Sequence, residues 1–285
     1  MIKILKQLLI PFRKKVYMYT GRKPWSYGYN DARWDLIQKS ITNNELLDQF
    51  NAKSIPTYYG VGFDERVVEY PWLLSKLGLE KGTNLLDAGS TFNFAPLINH
   101  PRVTIKNTTI FTYYPEQNCY IQDRVSYDFG DLRNMPYKND LFDEVVCQST
   151  IEHVDMDNSI YGYEISKNEN STQKSYEYLF VIDELIRVLK NKGKLLLTFP
   201  YGIFENHGFF QQFDEEMTQQ ILNKLKSHGD IKVDYLLYTQ SGWRFAEVEE
   251  CNDSQSYNPH TGKGKGTDGA AHCRCVCCIE FIKLI

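Results

Sequence analysis

The chain has 285 residues, 42% of them hydrophobic and 24% charged, with 32 basic against 36 acidic side chains and a formal net charge of −4. That length holds one large domain with an added segment, or two small domains, and the balance is that of an ordinary globular protein. It excludes a polybasic nucleic-acid binder.

In chain order, the first 23 residues carry Lys3, Lys6, Arg13, Lys14, Lys15, Arg22 and Lys23 and no acid, interleaved with Ile2, Ile4, Leu5, Leu8, Leu9 and Ile10. Lys6 interrupts the apolar run and Pro11 stops it, well short of the roughly 20 residues a bilayer span requires. A secretory leader is not expected either, since neither its long apolar core nor its small-residue cleavage site is visible. The segment reads first as a helix packed on the domain and second as a foothold on an anionic membrane surface. Trp34, Leu36, Ile37, Ile41, Leu46, Leu47 and Phe50 then recur near helical spacing, and Pro56, Gly60 and Gly62 punctuate a loop from Ser54 to Asp64. Residues 1–70 are therefore taken as an N-terminal helical cap and residues 71–285 as the main domain.

Pro71 suits the first position of a helix and Gly78 the residue past its end, which predicts a short helix from Trp72 to Leu77. Beyond it strands and helices alternate, the pattern of a mostly parallel sheet. Strands are expected at Asn84 to Ala88, Val103 to Thr112, Val125 to Phe129, Glu144 to Gln148 and Lys194 to Phe199. The apolar stripe Leu179, Ile182, Leu185, Ile186 and Leu189 predicts a helix ended by Asn191-Lys192-Gly193. Asp214-Glu215-Glu216 opens another, acids complementing its dipole. Ile231 to Thr239 and Val276 to Leu284 read as two final strands joined by a long loop.

Three segments stand out by order and spacing: Asp87-Ala88-Gly89 after the first strand, Asp131-Leu132 with Pro136-Tyr137 after the third, and Phe142-Asp143 opening the fourth, which leads to Glu152-His153-Val154. Successive strand ends in an α/β sheet converge on one ligand crevice. Together the segments resemble class I S-adenosylmethionine-dependent methyltransferases over roughly residues 71 to 285, and Glu152-His153-Val154 resembles the branch that methylates small molecules and sugars. The resemblance implies a doubly wound, mostly parallel, seven-stranded Rossmann-like sheet closed by a C-terminal antiparallel hairpin, and S-adenosylmethionine as cofactor.

It also implies roles for particular residues. Asp87, Gly89, Ser90 and Thr91 form the turn under the cofactor. A dinucleotide site wants three glycines against its pyrophosphate, whereas here Gly89 stands alone, so a phosphate cradle is not expected. The family's ribose-binding acid falls near Thr112; either Glu116 substitutes for it or Thr112 itself bonds the ribose more weakly. Asp131 and the backbone of Leu132 are expected at the adenine, and Ser149 at the cofactor's edge. Asp143 lies at the wrong end of its strand and reads as structural. His153 is the candidate base for a hydroxyl acceptor, with Glu152 orienting it or touching the acceptor. Tyr58, Tyr59, Tyr161 and Tyr163 are the aromatic candidates for holding that acceptor, together with the loop through Glu65 and Arg66.

Seven cysteines, an odd number without a leader pattern, point to free thiols and a cytoplasmic setting. His272-Cys273-Arg274-Cys275-Val276-Cys277-Cys278 mimics a metal cluster, but strand alternation would place Cys273, Cys275 and Cys277 on one side and Cys278 on the other. No metal is expected there. Gly262 to Thr267 likewise lacks the spacing of a phosphate loop. The functional expectation is methyl transfer to a hydroxyl or amine of a small polar or glycan acceptor, with no nucleic-acid partner and no oligomeric state specified. A non-catalytic scaffold with a degenerate site is the alternative, ahead of a nicotinamide-dependent sugar enzyme or a metal-thiolate module.

Overall fold

The computed structural model describes residues 8–120, 122–159 and 173–284. The first five strands are β1 (Asn84–Ala88), β2 (Asn107–Thr112), β3 (Val125–Phe129), β4 (Phe142–Gln148) and β5 (Leu189–Pro200). A short ribbon of β6 (Glu205–Asn206) and β7 (Gln211–Gln212) follows, then β8 (Gly229–Thr239), β9 (Gly242–Ala246) and β10 (Cys275–Lys283). Eight of these form one sheet in the order β3-β2-β1-β4-β5-β10-β8-β9, with β1 to β5 parallel and β10 antiparallel to both neighbours. The strand order reverses between β1 and β4, and an α/β sheet opens its ligand crevice beside such a switch point.

The expected seven strands are eight, because β9 adds an antiparallel edge. Thr239 and Gly242 close a tight hairpin, and Trp243-Arg244-Phe245 then alternates apolar, charged, apolar, a period-two signal inside what reads as loop. The outer side of β9 meets the cap: Trp243 N donates to Tyr59 O at 2.8 Å and Trp243 Nε1 to Phe63 O at 3.1 Å.

Helices α1 (Ile10–Tyr19), α2 (Tyr29–Ile41) and α3 (Asn44–Asn51) precede α4 (Arg66–Lys76), and together they cover one face of the sheet. Tyr17, Ile37, Phe50, Val67, Trp72 and Leu73 are buried there against Leu85, Val146 and Val276. Helices α7 (Tyr178–Val188) and α8 (Glu215–Lys226) cover the other face, where Val181, Ile182, Leu185, Ile221 and Leu225 pack on Leu86, Cys147 and Leu197. Two four-residue turns, α5 (Ala95–Ile98) and α6 (Pro101–Thr104), link β1 to β2, and α9 (Val248–Cys251) follows β9. Val103 thus belongs to α6, and β2 starts only at Asn107. Helix α7 ends at Val188, before the Asn191-Lys192-Gly193 signal, which falls instead on a bend within β5 where Lys192 has φ +64°. Residues 1–7, with Lys3 and Lys6, lie outside the described residues, and no described helix is long and apolar enough to cross a membrane.

Helix α4 departs most from the sequence reading, because Pro71 sits inside it rather than at its start. A proline there has no N–H for the carbonyl four residues back, and a buried carbonyl left unpaired is unfavourable. The carbonyl is Val67 O, and the Tyr59 hydroxyl donates to it at 2.7 Å. The same hydroxyl lies 2.7 Å from Ser40 Oγ of α2, so one phenol supports the proline and ties the helical segment to α4. Tyr59→Phe should lower stability by about 1–3 kcal/mol, the cost of a buried unsatisfied group. Restoring an N–H with Pro71→Ala should recover part of that loss in a double-mutant cycle read by urea unfolding. Strictly additive effects would refute the coupling.

Candidate active site

Beyond β1 the chain turns sharply. The Asp87 carboxylate is fully buried and accepts from Thr91 N at 2.8 Å through one oxygen and from Phe92 N at 2.7 Å through the other. It holds the turn from behind and does not line the cleft. Ser90 and Thr91 are likewise buried, and Phe92 belongs to the core. Of the expected turn contacts only Gly89 lines the cleft. Its φ is +118°, and a Cβ there would stand 2.1 Å from Thr150 Oγ1, so glycine is required for the turns after β1 and β4 to meet.

The cleft runs across the carboxyl ends of β1 to β4 and encloses about 270 Å³. Thr112, Glu116, Asp131, Leu132, Ser149 and His153 line it, each singled out in the sequence, and so do Phe111, Arg66 and Arg133. Phe94, half-exposed, packs 5.1 Å from Trp34 and is not among the lining residues. At the end of β2, Thr112 Oγ1 donates to Glu116 Oε1 at 3.3 Å, and Asn93 Nδ2 donates to Glu116 Oε2 at 2.8 Å. A carboxylate therefore stands where the family's strand-end acid is missing. Asp131 is less available: Arg133 reaches its carboxylate from N at 2.9 Å and from Nη2 at 2.7 Å, and that hydrogen-bonded guanidinium holds it below the usual carboxylate range despite partial burial. The neighbouring Leu132, partly exposed, presents apolar surface to the cleft, and the fully buried Phe111 lies in the core.

Glu69 organises the other wall, and the sequence reading passed over it. It is fully buried in α4; Oε1 accepts from Ser149 Oγ at 2.6 Å and from Thr198 Oγ1 at 2.6 Å, while Oε2 accepts from Gln148 Nε2 at 3.0 Å and pairs with Arg66. Its one signal was an acid within the otherwise apolar run Val67-Val68-Glu69-Tyr70-Pro71-Trp72. Ser149, expected at the cofactor's edge, thus lines the cleft with its hydroxyl committed to Glu69.

His153 ends a 3-10 turn, Ile151–His153. Its Nδ1 lies 2.7 Å from Phe209 O; the carbonyl can only accept, so Nδ1 carries the proton and Nε2 is the lone-pair nitrogen. Burial lowers the imidazole pKa to about 4, leaving the ring neutral at physiological pH. Glu152 is buried behind it, outside the cleft lining, with Oε1 3.9 Å from His153 Nε2. Burial raises Glu152 to about 8 and Asp87 to about 7, the backbone donors of Thr91 and Phe92 only partly offsetting the effect at Asp87. Glu152 is thus a neutral acid beside a neutral imidazole, and direct acceptor contact does not follow from its position.

Tyr58 and Tyr59 do not reach this cleft. They line a separate groove of about 700 Å³ with Lys14, Met18, Tyr19 and Arg22 of the helical cap. Tyr161 and Tyr163 lie outside the described residues. In the cysteine run, Cys275 and Cys277 face α7 and α8 while Cys278 faces α4, as strand alternation requires. Cys273 does not share the side of Cys275, since it precedes β10 and lies on the α4 face.

The lining suits an S-adenosyl nucleoside better than a dinucleotide. Glu116 with Thr112 can accept from sugar hydroxyls, and Leu132, backed by the buried Phe111, offers apolar surface to a flat base. The two guanidiniums are already bound, Arg66 to Glu69 and Arg133 to Asp131 and Glu177, so a pyrophosphate would have to compete for them.

No protein-family model and no curated protein matches the chain. Solved structures with a similar course of chain include the [4+2]-cyclase SpnF, 16% identical with a TM-score of 0.46, covering 88% of this chain and 95% of that one. The N-methyltransferase NodS from Bradyrhizobium japonicum, in complex with S-adenosylhomocysteine, is 10% identical with a TM-score of 0.42 over 88% of this chain and 98% of its own. A SAM-dependent methyltransferase from Methanosarcina mazei is 12% identical with a TM-score of 0.40 over 73% and 95% of the two chains. These likenesses concern the course of the chain alone.

The buried acid also fixes a pH dependence. Folded Glu152 keeps its proton between about 4.5 and about 8 while the unfolded chain releases it, so this group's stabilisation is complete below that window and is lost as pH rises through it. Glu152→Gln, a neutral isostere, should flatten the decline of unfolding free energy across the same window. Equal slopes for the two proteins in urea titrations would contradict the assignment.

Proposed function

We propose that the chain transfers a methyl group from S-adenosylmethionine to a hydroxyl or amine of a small polar acceptor, a sugar or glycan precursor. The observation that carries this reading is the convergence of Gly89, Thr112, Glu116, Leu132 and His153 on one cleft at the strand ends. When bound, the cofactor supplies an electrophilic methyl group on a sulfonium. The work left to the protein is mainly alignment: acceptor, methyl carbon and sulfur must lie in line. Glu116 and Thr112 would hold the nucleoside's hydroxyls, and the partly exposed Leu132 would pack on its base, backed by the buried Phe111.

His153 Nε2 is placed to take the acceptor's proton, and the acceptor's freed lone pair would go to the methyl carbon as that carbon's bond to sulfur breaks. Neutrality leaves the nitrogen unprotonated, and the Nδ1–H bond to Phe209 O fixes the tautomer and the ring plane. A base held near 4 is weak, so transfer to it has to accompany methyl movement instead of preceding it. Arg66 and Ser149, fixed by Glu69, give the wall the polar character a polyhydroxylated acceptor needs.

Isothermal calorimetry with S-adenosylhomocysteine should show one site per chain, and Glu116→Ala should weaken it at least about tenfold, the loss of one good hydrogen-bonding group. An absence of heat with the wild-type chain would remove the cofactor assignment. His153→Ala should lower turnover by about 100-fold, a typical contribution of a general base, while cofactor affinity stays nearly constant. Unchanged turnover would reduce His153 to a structural role.

A further inference from the structure

Glu65, His272 and Cys273 come together from two distant parts of the sequence, the N-cap of α4 and the approach to β10. One carboxylate oxygen, one imidazole nitrogen and the thiol sulfur lie within 4.8 Å of one another. Glu65 and Cys273 are buried, and the His272 side chain is 19% exposed. His272 Nδ1 and Glu65 Oε1 form an ion pair at 3.0 Å, with Arg66 Nη1 3.8 Å from the same oxygen, yet neither His272 Nδ1 nor Glu65 Oε2 makes an aligned hydrogen bond among the described residues. Buried polar atoms that are close but not aimed at one another are unfavourable unless something between them completes the arrangement.

We propose that these three side chains form a zinc site with a fourth position left for water or a ligand atom. An imidazole, a thiolate and a carboxylate make a borderline-soft donor set that suits zinc and disfavours magnesium or calcium. Donors around a tetrahedral zinc stand about 3.3–3.8 Å apart, so the cluster has to contract by at most about 1 Å at its widest pair. On binding, the Cys273 S–H bond breaks, its proton passes to water, and sulfur donates its electron pair to the metal. The zinc charge is then met by the Glu65 carboxylate and the Cys273 thiolate, while Arg66, whose Nη1 stands 3.8 Å from Glu65 Oε1, keeps Glu69 as its closer partner.

The site is separate from the proposed methyl-transfer cleft and does not depend on that reading. The Phe210 ring lies 5.0 Å from His272 on one side and 6.3 Å from His153 on the other, so a metal here would brace the wall behind His153. Strand alternation could not reveal it, because the sequence reading sought ligands within the cysteine run and Glu65 lies far outside.

The full chain, stripped with a chelator and returned to plain buffer, can be titrated with zinc chloride by calorimetry and with cobalt chloride by absorption. One equivalent per chain is expected, with a thiolate-to-cobalt band in the near ultraviolet and no response to magnesium chloride. His272→Gln and Cys273→Ser should each weaken zinc at least about tenfold, as the loss of one ligand requires. Cys119→Ser, which removes the exposed thiol, should change nothing. Circular dichroism checks each variant's fold, and partly exposed His272 gives the decisive variant should Cys273→Ser not fold. Wild-type chain that takes up no zinc, zinc affinity unaltered by His272→Gln, or zinc lost in Cys119→Ser would each overturn the proposal.

Discussion

The site depends on one buried carboxylate. Glu69 gathers Gln148 and Ser149 from the end of β4, Thr198 from β5 and Arg66 from its own helix. A charge taken out of water is tolerable only when its lone pairs are satisfied and a counter-charge stands near, and both conditions are met here. The cleft therefore gets one of its walls from a single group. Helix α4 is locked onto the strand ends, so the loop holding Ser149 and the turn ending at His153 start from a fixed base.

A second carboxylate does similar work with no counter-charge. Asp87 is buried, accepts two backbone amides and is held near 7, so around neutrality it is divided between its charged and neutral forms. Burial opposes its charge while the amides favour it. The sequence marks this position through the Asp-x-Gly pattern, and in the structure the aspartate of that pattern fixes the shape of the turn.

What was legible in the chain follows from the range of the forces involved. Strand runs, the α7 stripe and the acids opening α8 are local signals, and they located most of the parallel sheet. Gly89, Glu116 and His153 were readable because strand ends in such a sheet must converge. Residues whose environment comes from far along the chain were not. Pro71 inside α4 is acceptable only because Tyr59 reaches Val67 O; Glu69 has its role only once β4 and β5 are in place; β9 was hidden by its brevity; and Cys273 left its strand-mates because it precedes the ladder. Tyr58 failed for the same reason, since exposed aromatics carry no local mark of the groove they will join.

The closure of β9 by the cap has an effect on self-association. An uncovered sheet border offers unpaired amides to a neighbouring molecule and so invites intermolecular ribbons. At one border Trp243 spends its amide on Tyr59, which leaves β3 as the opposite border. There Asp128 lies within the strand and Asp123 and Arg124 just before it, charges whose dehydration would oppose a foreign strand. The molecule thus guards its two rims by different means, a lid of backbone at one and ionic hydration at the other.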